Sequence, residues 1–164
     1  ERTKKTPTNF AHVKIINEPR HGTEQNHANN VVALLTYYDT RGRLLLDSIE
    51  GRWSSSDEPK SPSDIQNLKR RQIRSDGLPE NLDIASKPKR GESWYAFNNQ
   101  SYFFRDMIDE SFRLSEQVVD VHIQLRGDRV RKNFWVRMYN EGKDGGIRIE
   151  KRESWLRRLI SRKQ

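Results

Sequence analysis

The chain has 164 residues, 32% of them hydrophobic and 33% charged, with a net charge of +8 and no cysteine. That length suits one domain with a modest core and much solvated loop. The missing cysteine excludes disulfides, thiolate metal sites and a cysteine nucleophile, and no run reaches the ~18 apolar residues of a membrane span.

Residues 1–10 read as a flexible tail. The start at Glu1 without Met suggests a fragment or processed form, and Arg2, Lys4 and Lys5 are then expected in either a frayed terminus or a basic juxtamembrane linker on the cytoplasmic side. Val13 to Ile16 read as a first strand, closed by Asn17 and Pro19, before a polar loop. From Val31 to Tyr38 both alternating sets are largely apolar, which marks a strand covered on both faces. "DTRG", Asp39 to Gly42, suits a tight turn, and Arg43 to Ile49 returns antiparallel, so this stretch is expected to be a hairpin at the centre of a sheet. Trp53 is expected to close one end of the core.

Residues 54–80 are rich in Ser, Pro and charge and read as a long surface excursion with short ordered pieces. Leu82 with Ile84, and Trp94 to Phe97, suggest two further strands. Phe103, Phe104, Met107, Ile108, Ser111 and Phe112 recur at helical spacing, which predicts an amphipathic helix against the sheet edge. Val119, Val121, Ile123 and Leu125 alternate with Asp120, His122, Gln124 and Arg126, the cleanest strand of the chain. "RGDR" turns it, and a second strand returns with Phe134, Val136 and Met138 inward and Trp135, Arg137 and Tyr139 outward. "IRIEK" is a last short strand, and residues 151–164 read as a basic amphipathic helix with Trp155, Leu156, Leu159 and Ile160 on one face.

Seven or eight short strands predict a mainly β fold over residues 11–150, an antiparallel immunoglobulin-like sandwich with one helical insertion. The excess of positive charge lies wholly in residues 121–164, where thirteen Lys and Arg face five Asp and Glu. Such a local field draws an anionic partner. The candidate binding residues are Arg126, Arg129, Arg131, Lys132, Trp135, Arg137 and Tyr139 on the hairpin, and Arg157, Arg158, Arg162 and Lys163 in the terminal segment. Basic residues among aromatics can grip single-stranded nucleic acid by stacking and phosphate contact, while a cationic helix with a Trp can lie on an anionic membrane surface. The opposing expectation is that Trp135 and Tyr139 pack against the 103–114 helix or the second sheet.

No metal, cofactor or catalytic set is expected. His12, His21, His27 and His122 show no ligand spacing and read as exposed. There is no Gly-x-Ser-x-Gly elbow, and "GKDGG" lacks the Ser or Thr of a phosphate loop. "RGD" at Arg126 to Asp128 reads as a charged turn.

Asn30-Val31, the Tyr38-Asp39 to Gly42 turn and the order of the strands around them resemble prokaryotic immunoglobulin-like domains, which are similar to fibronectin type III-like and late-embryogenesis-type sandwiches. The resemblance covers about two-thirds of the chain. It implies a non-catalytic accessory or interaction domain of a larger protein, often membrane-attached, with a protein partner expected first and an anionic membrane or nucleic acid as alternatives. It supplies no catalytic residue.

Overall fold

The structure, a computed structural model, describes residues 7–18, 26–104 and 107–152. Among the described residues, eleven strands follow in chain order: β1 (Thr8–Ile15), β2 (Ala28–Tyr38), β3 (Leu44–Glu50), β4 (Arg52–Trp53), β5 (Arg71–Ile73), β6 (Glu80–Pro88), β7 (Trp94–Ala96), β8 (Arg113–Leu114), β9 (Val118–Asp128), β10 (Val130–Asn140) and β11 (Ile147–Arg152). Two short helices, α1 (Pro62–Asn67) and α2 (Asn99–Phe104), lie between them. The strands form two antiparallel sheets. One runs β1-β6-β7-β8 with β4 also on β6; the other runs β11-β10-β9-β2-β3 with β5 on β2. The chain passes from one sheet to the other at Gly51, between β3 and β4.

Alternation explains the core. Val31, Ala33, Leu35 and Tyr37 of β2 and Val119, Val121 and Ile123 of β9 are fully buried against Leu82 and Ile84 of β6 and Trp53 of β4. Each large apolar side chain so buried contributes roughly 1.5–3 kcal/mol. The expected hairpin of β2 and β3 is present, with β2 inside the sheet and β3 at its edge rather than at its centre. Asp39 makes the turn: its carboxylate accepts the Arg41 and Arg43 amides at 2.9 and 2.8 Å, and Gly42 takes φ +85°. The amide of Arg43 is the largest of the influences that hold the Asp39 carboxyl below its ordinary range.

Three expectations need correction. β1 starts at Thr8, so residues 8–10 belong to the sheet and not to the tail. The predicted helix over 103–112 is absent: α2 ends at Phe104, Met107 adopts φ +73°, and Asp109 caps a single turn at Glu110–Phe112 through Ser111. Phe104 is left largely exposed. Asp and Ser side chains that bond nearby amides compete with a continuous helix, and here they win. Lys151 and Arg152, expected in the terminal helix, finish β11; residues 153–164 lie outside the described residues.

The 54–80 excursion is built as expected of short pieces, and Ile73 of β5 anchors it in the core. Lys87 was unforeseen. Its side chain is fully buried, and its ammonium donates to Asn140 Oδ1 at 2.8 Å, to the Gly145 carbonyl at 2.9 Å and to the Gly142 carbonyl. The 141–146 loop thus wraps a cation, whose pKa burial lowers.

Candidate functional site

On β2, β9, β10 and β11, alternate side chains face away from the core. The register lines them up in rows across the strands. Val32, Arg126 and Arg131 form one row; Leu34, Gln124 and Asn133 the next. Thr36, His122, Trp135 and Arg152 form a third; Tyr38, Asp120, Arg137 and Glu150 a fourth. Arg126, Arg131, Trp135 and Arg137 therefore share one face, as the alternation predicts. Lys132, opposite Leu125, points to the other side. The terminal cations Arg157, Arg158, Arg162 and Lys163 lie outside the described residues.

The aromatic rings are not free. His122 stacks on Trp135 with centroids 4.6 Å apart and planes 19° from parallel, Tyr38 lies at 5.4 Å, and the Arg152 guanidinium sits 5.6 Å from the Trp135 centroid. Arg148 covers Tyr139 at 3.8 Å. Among the described residues, the ring contacts of Trp135 and Tyr139 are with neighbours on their own face. Asp120, placed by alternation on the face opposite Val119 and Val121, is 1% exposed. It accepts both arms of the Arg137 fork at 2.7 and 2.9 Å, and Nη1 of Arg152 forms an ion pair with it at 2.7 Å. Those hydrogen bonds to Asp120 hold the Arg137 guanidinium above its ordinary pKa. This half of the face is neutralised from within.

His122, expected to be simply exposed, is partly buried here, and burial holds its imidazole below its ordinary pKa of 6.5. Between that lowered value and about 6.5 the unfolded chain takes up a proton that the folded chain refuses. Stability therefore falls as pH drops through this window, and His122→Phe, which keeps a stacking ring, is expected to flatten that slope. Urea midpoints from pH 8 to pH 5 test this; equal slopes in both chains would refute it.

The hairpin end behaves differently. Arg126, Arg129, Arg131 and Lys132 are exposed, and Arg70 on the segment after α1 is exposed nearby. Among the described residues, none of these five has a carboxylate within ion-pair distance. Arg126 donates to Gln124 at 2.9 Å. Gly127 is required by close approach: a Cβ there would lie 2.6 Å from the Asn29 carbonyl oxygen of β2. Asp128 accepts from Asn30 at 2.7 Å, and Arg129 completes the turn at φ +63°. Beside this end an open cleft of about 370 Å³ runs over Val32 and Leu34, flanked by Lys69, Arg70 and Arg126.

A second polar cluster, on the other sheet, escaped the sequence reading. His12, Asp83 and Arg52 are cross-strand partners on β1, β6 and β4. Asp83 Oδ1 lies 2.5 Å from His12 Nδ1 and accepts the Ser54 hydroxyl at 2.5 Å; Ser54 Oγ is 3.3 Å from the same Nδ1. A serine relay needs hydroxyl and carboxylate on opposite ring nitrogens. Here both meet one nitrogen and the hydroxyl gives its proton to the carboxylate, so Ser54 is not activated. Among the described residues, no group of three or more His, Cys, Asp or Glu could hold a metal ion. No helix among them is long and apolar enough to cross a membrane.

Comparison with protein-family models, with curated proteins and with solved structures finds no match for the chain.

Proposed function

We propose that this chain is a non-catalytic, immunoglobulin-like interaction module that docks an acidic protein partner at the β9–β10 end of its larger sheet. The observation that carries the reading is the set of exposed cations Arg70, Arg126, Arg129 and Arg131 at that end, none of which has a carboxylate within ion-pair distance among the described residues. Elsewhere on the same face Asp120 pairs with Arg137 and Arg152. Cations left unpaired at one place steer an anionic surface to that place.

The immunoglobulin-like assignment is supported by strand order. β1-β6-β4 follows the B-E-D order of such folds, and β3-β2-β9-β10 follows C′-C-F-G, in the same chain order. The non-catalytic part rests on the Ser54–His12–Asp83 geometry. Single-stranded nucleic acid fits less well, because Trp135 and Tyr139 already have ring neighbours and offer no open stacking platform.

Anisotropy titrations of the full chain with labelled oligoglutamate, with oligothymidylate of equal charge, and sedimentation with anionic vesicles test the reading. Oligoglutamate is expected to bind best, with affinity falling as salt rises. The triple change R126E, R129E and R131E is expected to weaken it at least tenfold. The control K14E, K89E and K143E, with the same net charge change at exposed sites elsewhere, is expected to weaken it far less. Equal losses in both would refute a local site. Preference for the oligonucleotide or for vesicles would replace the partner class, and no binding at low salt would end the proposal.

A further inference from the structure

The geometry points to a mixed ligand for the cleft beside the hairpin end: an extended peptide segment in which an aliphatic or aromatic side chain stands between carboxylates. This rests on the reading of the hairpin end as an anion-docking surface and narrows it.

Val32 and Leu34 are half-buried on the outer face of β2, at alternate positions of one strand. They line the cleft between Arg126, which faces Val32 from β9, and Arg70, which precedes the β5 residue Arg71 opposite Val31 on the other edge of β2. Lys69 lines it too, with its ammonium 2.9 Å from Glu50. An apolar strip between two arginines suits a ligand with an apolar side chain in the middle and anionic groups on either side. The arginines favour planar carboxylates that they can grip by two nitrogens. The apolar strip rewards a buried hydrocarbon.

A uniform polyanion is matched less well. Glu50 and Asp128 also line the cleft, and like charges set against a polyphosphate or polycarboxylate cost affinity. A segment that places its hydrocarbon over Val32 and Leu34 can keep its carboxylates on the arginine flanks. At about 370 Å³ the cleft is at the small end of ligand pockets, room for one or two side chains rather than a folded surface.

The test uses two labelled peptides of equal charge, one with two Leu among six Glu and one with both Leu changed to Ser. The Leu peptide is expected to bind the full chain at least tenfold tighter. Leu34→Ser is expected to bring the Leu peptide down to the level of the Ser peptide while leaving the Ser peptide unchanged, with the urea midpoint confirming that the variant is folded. If both peptides bind the unaltered chain equally, the cleft inference falls and the charge-based docking reading stands. If neither binds, both fall. If oligothymidylate of equal charge binds tighter than the Leu peptide, the ligand class is wrong.

Discussion

Replacing Arg52 by Met is expected to cost about 3–5 kcal/mol of folding free energy, the usual price of removing one member of a buried charge cluster. Arg52 is 4% exposed on β4, and burial lowers its pKa against the raising influence of Asp83. Its guanidinium donates to Asn99 Oδ1 at 2.5 Å, to the Ser56 carbonyl at 2.9 Å and to the Asp57 carbonyl at 3.3 Å, and lies 4.5 Å over the Tyr102 ring. One side chain thus holds α2 and the turn after β4 against the sheet. Met fills some of the volume but leaves three acceptors without a donor and removes the positive charge paired with Asp83 in the strand register. Arg52→Lys is also expected to be costly, since one ammonium cannot reproduce the fork. Urea unfolding of both variants measures this, and a loss below about 1 kcal/mol for the Met variant would show that the cluster is dispensable.

The second large effect is expected at Tyr37, where removal of a single oxygen should cost about 2 kcal/mol. β1 and β6 lose register between Ala11 and His12, whose partners are Ala85 and Asp83, so Ile84 is left without a partner in that ladder. Its carbonyl accepts the Tyr37 hydroxyl at 2.7 Å, across the core from the other sheet. Both groups are fully buried, and burial raises the Tyr37 pKa, so the hydroxyl stays a donor at any ordinary pH. Tyr37→Phe keeps the ring and strands the carbonyl. A drop in thermal midpoint with an unchanged denaturant slope is the expected result; an unchanged midpoint would mean that water reaches Ile84.

Where hydrophobic alternation is strict, the sequence predicts the structure closely. Val119 to Leu125 and Phe134 to Met138 lie as expected, because period two admits one inward set. The helix predicted from Phe103 to Phe112 fails because spacing ignores what Asp109 and Ser111 do with their own backbone. His122 reads as exposed from its polarity, yet its cross-strand neighbour Trp135 stacks on it, as Arg137 grips Asp120. The hairpin cations were legible as a run, but which of them lack partners was not: Arg137 is tied to Asp120, while Arg70, contributed by a loop some fifty residues earlier, joins the free set. His12, Ser54 and Asp83 come together through strand pairing between segments 42 and 71 residues apart, a relation that no local pattern encodes.

Surface loops ordinarily absorb insertions and deletions with little effect, since water accommodates any new length. The loop around Lys87 should be an exception. Its carbonyls are gauged against an ammonium contributed 53 to 58 residues earlier in the chain. An added residue would carry Gly142 or Gly145 off that charge and leave it buried without the groups that stand in for water. Among descendants of this sequence, length should therefore be held constant from Asn140 to Gly146 and drift instead at places such as the open turn at Gly77, where an added Cβ would meet no other atom. A loop that looks from its glycines like slack is, in evolutionary terms, a ruler.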